Sequence, residues 1–344
     1  MIIPEFLKNG DTIGVTAPSH AIDDEPGMIR FASGKAQLEE RGYTVRFTEN
    51  VFAGSDSFGR SSSGTEKARE FNALVANPEI KAIYSAAGGD FLSEMLPYVD
   101  IDLFINNPKW VQGYSDNTSL LHYLTTKADV ATAYGANFGD FGMKPWQPCV
   151  TRGLEVLEGK RTVQESFDKY QDGFEVRETG YECYSLDTPV EWKNVTGGDS
   201  IEFEGRLIGG CMDVLLNIAG TRFDGTLDFI DKHKGDGIIW FLESFALPFE
   251  AMMEGLWKMK QLGWFEHTKG IIFGRPLFYS NESYDGSPIP TYRDVLLERL
   301  SDLNVPVIMD ADIGHKGPQF VMLNGAKARI CSVSGKGSVT FLFE

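Results

Sequence analysis

Cations are scarce in this chain: 32 Lys and Arg stand against 49 Asp and Glu, giving a formal net charge of −17. Nucleic-acid binding needs a cationic footprint, and anionic membranes attract basic segments, so neither is expected as a partner. Cysteine is rare as well. Cys149, Cys183, Cys211 and Cys331 are scattered and form no CxxC pair, which predicts buried reduced thiols rather than a disulfide framework. HExxH, clustered Cys/His and an EF-hand loop are all missing, so no metal is expected. The spacings of GxGxxG and of a P-loop are missing too, so no dinucleotide or nucleoside triphosphate is expected, and the cofactor expectation is none. No apolar run approaches the ~20 residues of a membrane span. Residues 1–11 lack the basic start and apolar stretch of a signal peptide, so a cytoplasmic location is expected.

What the chain does have is the balance of a globular protein: 42% apolar and 24% charged residues over 344 positions, enough for two domains without staples. TIGVTAP (12–18) reads as a buried strand, followed by a helix over 28–41 closed by Gly42, and by a strand over 43–48. A Gly/Ser loop over 54–64 leads to TEKAREFNALVA (65–76), a helix whose capping pattern is placed at Thr65. KAIYSAAGG (81–89) and WVQGY (110–114) read as further strands, the second running into a helix from Asn117 to Lys127. Such alternation predicts a mostly parallel, doubly wound sheet. Residues 160–204 are polar and without helical period. A helix over 211–219 and strands over 236–243, 269–274 and 305–310 follow, then hairpin-like strands to the C-terminus. The fold class is therefore α/β: an N-terminal doubly wound domain (1–165), a connecting substrate loop (166–204), and a smaller, β-rich C-terminal α/β domain (205–344).

Three residues stand at the carboxyl ends of predicted strands, where open parallel sheets place their ligand sites. Ser115, in GYSDNT, occupies a tight strand-to-helix turn that would expose its hydroxyl beside helix N-terminal amides. The simpler alternative is that Ser115 caps the helix, with Asp116–Thr118 also good caps. Glu243 closes the apolar run IIWFLE, and such a carboxylate must reach solvent, a partner or an active site. His315 follows VPVIMD in a Gly-flanked loop, with His20, in APSH, as its nearest rival. A serine nucleophile, a histidine base and an acid that orients it make a complete acyl-transfer set. The loop AAGGD (86–90) supplies backbone amides, so Gly89 N–H opposite Asp116 N–H is the expected oxyanion hole, with a plain tight turn as the alternative.

Six segments in order carry a resemblance to the LD-carboxypeptidase family of serine peptidases, which includes muramoyl-tetrapeptide carboxypeptidases and microcin C immunity proteins. They are LKNGDTIGVTAPS (7–19), GTEKAREFNALVANPEIKAIYSAAGG (64–89), GYSDNT (113–118), GRLIGGCMDVL (205–215), FLES (241–244) and GHKGP (314–318). The resemblance implies Ser115 as nucleophile, His315 as general base and acid, Glu243 as its orienting acid, an acyl-enzyme route, no cofactor, and a homodimer. It implies substrate contacts at Gly88 and Asp90. Ala87 stands where carboxypeptidases of the family carry an Arg, and the long polar insertion before GRLIGG is similar to the microcin-immunity branch. Trp192, within that insertion, is expected either to stack on a nucleobase or to pack as an ordinary loop residue. Cys211 replaces a usual Asn, and no basic side chain follows Glu243 closely. The substrate expected is a small peptidyl- or aminoacyl-nucleotide conjugate. A murein tetrapeptide cut at its terminal D-alanine is the second reading, and an inactive small-ligand-binding module the third.

Overall fold

A computed structural model describes residues 1–174, 176–279 and 286–343. In chain order the first part contains β1 (Thr12–Thr16), α1 (Glu25–Glu40), β2 (Thr44–Phe47), α2 (Gly64–Ala76), β3 (Ile80–Ser85), α3 (Ile101–Asn106), β4 (Trp110–Gly113), α4 (Thr118–Ala128), β5 (Thr132–Tyr134) and α5 (Pro148–Leu157). Short strands β6 (Val163–Glu165), β7 (Lys169–Tyr170), β8 (Thr188–Pro189) and β9 (Lys193–Asn194) occupy the polar middle segment. Then come β10 (Ser200–Cys211), α6 (Met212–Ile218), α7 (Thr226–His233), β11 (Ile238–Glu243), α8 (Phe249–Gln261), β12 (Thr268–Gly274) and α9 (Tyr292–Leu300). The chain finishes with β13 (Val307–Ala311), β14 (Met322–Asn324), β15 (Lys327–Val333) and β16 (Lys336–Phe341).

The first sheet has the order β14-β5-β4-β3-β1-β2, with β1 to β5 parallel. Strand order reverses between β1 and β3, so the loops that leave them diverge and open a crevice at their carboxyl ends. The second sheet has the order β6-β16-β15-β10-β11-β12-β13-β9, parallel in its centre from β10 to β13 and antiparallel on both flanks. Two strands cross the division. β14 pairs with β5 as the antiparallel edge of the first sheet, and β6 pairs with β16 in the second. The α/β class, with a parallel N-terminal sheet and a β-rich C-terminal unit, agrees with the sequence reading.

Local chemistry sets the element ends. α1 starts three residues before its predicted position because Asp24 caps it, accepting the Gly27 N–H at 3.1 Å. α2 is capped by Ser63, which accepts the Glu66 N–H at 3.2 Å, not by Thr65 as the sequence pattern suggested. Thr65 lies inside the first turn, where its hydroxyl is too late in the chain to reach the orphan amides. Cys211 is buried, whereas Cys149, Cys183 and Cys331 are only partly so, and all four are free thiols.

The two units meet where β10 runs past β11 and into α4. The Cys211 N–H donates to Thr118 Oγ1 at 3.0 Å, and the Gly209 N–H to Asn324 Oδ1 at 2.9 Å. The approach at Gly209 leaves no room for a side chain: a Cβ there would lie 1.7 Å from Phe241 O. Gly209→Ala is therefore expected to destabilise the protein by about 3 kcal/mol or more in denaturant unfolding. Gly235→Ala, at an exposed site where a Cβ meets nothing within 4 Å, should stay within about 0.5 kcal/mol of wild type.

Candidate active site

β4 delivers the chain into a sharp turn at Ser115, just ahead of α4. Ser115 takes φ 65°, a left-handed conformation uncommon outside glycine, and such strain costs about 1–3 kcal/mol. Side chains hold the turn. Asn117 Nδ2 donates to Ala87 O (3.1 Å), Tyr114 O (2.9 Å) and Asn137 Oδ1 (3.2 Å), and Asn137 Oδ1 also accepts the Tyr114 N–H (3.2 Å). The expected capping roles of Asp116–Thr118 are not used. Asn117 makes no cap bond to α4, and Thr118 serves Cys211 instead. Ser115 Oγ itself makes no hydrogen bond among the described residues, so it is not a cap either.

The Asp116 side chain is buried beside the turn. Its Oδ2 accepts Ser19 Oγ–H (2.6 Å) and the Leu92 N–H (2.8 Å), tying the loops after β1 and β3 to the Ser115 turn. Burial raises the Asp116 carboxyl pKa against the opposing pull of these donors. Gly88 presses on the serine: a Cβ there would lie 3.0 Å from Ser115 Oγ and 3.9 Å from Asp116 N. Gly89 lies beneath Ser19 and His20.

Glu243 ends β11 fully buried. Its Oε2 accepts from His315 Nδ1 at 2.7 Å, and its Oε1 accepts the Tyr134 hydroxyl at 2.5 Å. Tyr134 Oη in turn accepts the Ser115 N–H at 3.3 Å. The bond to Glu243 places the proton on Nδ1 of His315, and Nε2 is buried with no partner among the described residues. Tyr114 and Phe245 pack on the imidazole, with ring centroids 5.1 and 4.9 Å away. Burial favours the neutral ring, yet the Glu243 charge and hydrogen bond outweigh it and raise His315 above its ordinary 6.5. Burial also pushes Glu243 upward, but the His315 charge and the bonds from His315 and Tyr134 leave it lowered overall. Burial, reinforced by Glu243, holds the Tyr134 phenol well above its usual range, so it remains a donor.

Ser115, Asp116, Gly88, Gly89, Asp90 and His315 line one cleft of about 590 Å³, together with His20, Tyr114, Asn137, Phe174, Cys211, Asp213, Val214, Asn217, Phe245 and Ala246. Glu243 stands behind His315. His20 does share the cleft, but its Nε2 has no partner among the described residues and its ring rests on the Gly89 side. Burial and the neighbouring Glu243 hold the Cys211 thiol well above its usual pKa, so it stays protonated. Trp192 corrects the sequence reading. It is 2% exposed, donates Nε1–H to Asp312 Oδ2 at 3.0 Å, packs on Phe320, and is absent from the cleft wall. Core burial, not nucleobase stacking, occupies its ring. Tyr134, Asn117, Asn137, Asp213, Phe174 and Phe245 were not foreseen. Tyr134 carried no usable signal, because its strand is only three residues long. Among the described residues no group of three His, Cys, Asp or Glu is placed to hold a metal ion, and no helix is long and apolar enough to cross a membrane.

With that geometry in hand, the comparisons are specific. The profile of the LD-carboxypeptidase N-terminal domain matches residues 13–135, and that of the C-terminal domain matches residues 204–330. The microcin C7 self-immunity protein MccF of Escherichia coli is 31% identical over 346 residues, covering 94% of this chain and 91% of its own. The MccF-like protein of Bacillus anthracis str. Ames superposes with a TM-score of 0.84 at 26% identity, over 100% of both chains. MccF in complex with aspartyl sulfamoyl adenosine superposes with a TM-score of 0.81 at 27% identity, over 100% of this chain and 99% of that one.

Two outcomes are expected from this arrangement. Tyr134→Phe strips Glu243 of one donor and the Ser115 N–H of its acceptor, a loss of about 1–3 kcal/mol. If that loss falls on the reaction, kcat drops roughly ten- to a hundredfold, while circular dichroism stays native. The second outcome concerns pH. A base must be neutral, so kcat/KM should fall as pH drops through the His315 pKa, with its midpoint above 6.5. Stability runs the other way. The His315 contribution is complete below 6.5 and is lost as pH rises through the raised value. A wild-type midpoint at or below 6.5 would reject His315 as the titrating base.

Proposed function

The chain belongs to the LD-carboxypeptidase family, and on that premise we propose that it is a cofactor-free serine amidase that cleaves the bond between an aminoacyl or peptidyl group and a modified nucleotide. One observation carries the reading. A strained, unbonded serine hydroxyl and the free Nε2 edge of a carboxylate-oriented histidine belong to the same cleft. Catalytic hydrogen bonds often tighten only when substrate arrives, so the absence of a Ser115–His315 bond is compatible with the role.

In this reading His315 Nε2 takes the Ser115 hydroxyl proton while Oγ bonds to the carbonyl carbon. Charge then develops on the carbonyl oxygen, where the Gly89 and Asp116 N–H groups serve as donors; one such donor contributes roughly 10²–10³ in kcat. Collapse breaks the C–N bond, and the proton on His315 passes to the leaving nitrogen. Water repeats the attack on the acyl ester, with His315 again as base, and Ser115 leaves with its proton restored. Glu243 keeps the imidazole in the Nδ1–H tautomer and balances the imidazolium. The left-handed turn keeps Oγ clear of local acceptors, and Gly88 lets the oxyanion loop approach it.

Support for a nucleotide-bearing substrate comes from the likeness to MccF, whose solved complexes hold aspartyl sulfamoyl adenosine and glutamyl sulfamoyl guanosine. Ala87 before Gly88-Gly89 also tilts the reading away from the murein branch. Mass spectrometry of wild type and Ser115→Ala, each incubated with an aminoacyl-sulfamoyl adenosine or a murein tetrapeptide, tests it. Cleavage of the nucleotide conjugate by wild type alone is the expected result. Release of D-alanine from the tetrapeptide instead would move the protein to cell-wall recycling, and cleavage that persists in Ser115→Ala would remove the serine mechanism.

A further inference from the structure

The loop that carries His315 begins at Asp312, just past β13, and is closed where the Phe320 N–H donates to Asp312 O at 2.7 Å. At its root lies a buried ion pair: Arg275 Nη2 donates to Asp312 Oδ1 at 2.7 Å, and the two side chains are 5% and 0% exposed. Nη1 of the same guanidinium reaches Asp310 O, also at 2.7 Å. Arg275 therefore grips the loop root at two points, a span that suits a planar fork and not a compact ammonium. Burial raises the Asp312 pKa, while the Arg275 charge and the bonds from Arg275, Trp192 and Phe167 oppose it. The carboxylate thus depends on its guanidinium to stay charged.

The polar middle segment closes on this loop from outside. Asp312 Oδ2 accepts Trp192 Nε1–H (3.0 Å) and the Phe167 N–H (3.3 Å), and the Tyr170 ring centroid lies 4.2 Å from Arg275 Cζ. Beyond the histidine, the Gln171 N–H donates to Gly317 O at 2.8 Å and Lys316 Nζ pairs with Asp172 at 2.6 Å. One segment thus holds the loop both before and after His315. The imidazole itself has a single polar contact among the described residues, from Nδ1 to Glu243, so its position is inherited from the loop. That fit has little slack: a Cβ on Gly314 would lie 2.4 Å from Glu243 Oε2.

We propose that Arg275 and Asp312 are positioning residues for His315, and that Phe167, Tyr170 and Trp192 act through them as a brace that holds the imidazole against Glu243. The proposal deepens the amidase reading and rests on it for the role of His315. Two variants separate positioning from folding. Arg275→Lys keeps the charge and loses the fork. Arg275→Met combined with Asp312→Asn removes both charges and leaves an amide oxygen for Trp192 and Phe167; replacing a buried pair as a whole is tolerated where breaking one partner is not. The His315 pKa is read by NMR on histidine-labelled protein, with His315→Gln assigning the resonance, and kcat is read on an aminoacyl-sulfamoyl adenosine. The titratable groups around the imidazole are Glu243, Tyr114 and, more weakly, Asp213, and none of them is altered. In both variants the His315 pKa is expected to drop from its raised value toward 6.5, while circular dichroism stays native. The same displacement should lower kcat by roughly ten- to a hundredfold, as misplacement by about an ångström does. A wild-type His315 pKa in the folded double variant would overturn the proposal, whatever kcat does. Should that variant not fold, the same result in Arg275→Lys would overturn it. The NMR measurement needs no turnover, so a wild type that leaves the conjugate intact would discard the amidase reading alone, and the two fail separately.

Discussion

One hydrogen bond links the Ser115 turn to the Glu243–His315 pair: the phenol of Tyr134, at the end of β5 in the first sheet, donates to Glu243, at the end of β11 in the second. Everything with chemical potential hangs from it. On one side Tyr134 receives the Ser115 amide and so fixes the turn that carries the hydroxyl. On the other, Glu243 turns its second oxygen to His315. Serine and histidine come from different sheets, some two hundred residues apart, and a shift of one sheet against the other would be felt first in this relay.

The relay also answers an energetic difficulty. A fully buried carboxylate with no partner would take up a proton, because burial disfavours its charge. Two donors, the Tyr134 phenol and the His315 imidazole, offset that tendency for Glu243, and the ring gains basicity from the same contact. Asp116, also buried, goes the other way: burial outweighs its two neutral donors and the charge of Lys67, and its pKa is raised. Two buried acids, one next to Ser115 in the chain and one tied to it through Tyr134, therefore have opposite character, one an electrostatic partner and the other a clamp on backbone and hydroxyl.

Much of this was legible in the residues, and the limits of that legibility are physical. Strand ends reveal where Ser115, Glu243 and His315 emerge, because apolar runs and small residues mark the carboxyl edge of a parallel sheet. The strand that carries Tyr134 is only three residues long and leaves no periodic trace, so the residue linking the Ser115 turn to Glu243 went unseen. Trp192 misled because it lies in a polar segment. Its burial depends on Phe320 and on Gly337, where a Cβ would lie 1.9 Å from the indole, partners more than a hundred residues away. The cap of α2 moved from Thr65 to Ser63 because the run Ser61-Ser62-Ser63-Gly64-Thr65 offers several hydroxyls and only backbone geometry chooses among them. Aromatic residues at the cleft mouth gave no signal at all, since their grouping comes from three separate loops.

The exchange of strands between the sheets has a bearing on how such a molecule is made. The first sheet takes its outer strand from residues 322–324, long after its other five have left the ribosome. Until then β5 presents an open edge, and Tyr134, one residue of that edge, has no finished neighbour on its far side. Glu243 and His315 arrive late as well. A nascent chain thus carries Ser115 through some two hundred further residues before His315 is made, and on the proposed mechanism its hydroxyl has no base until then.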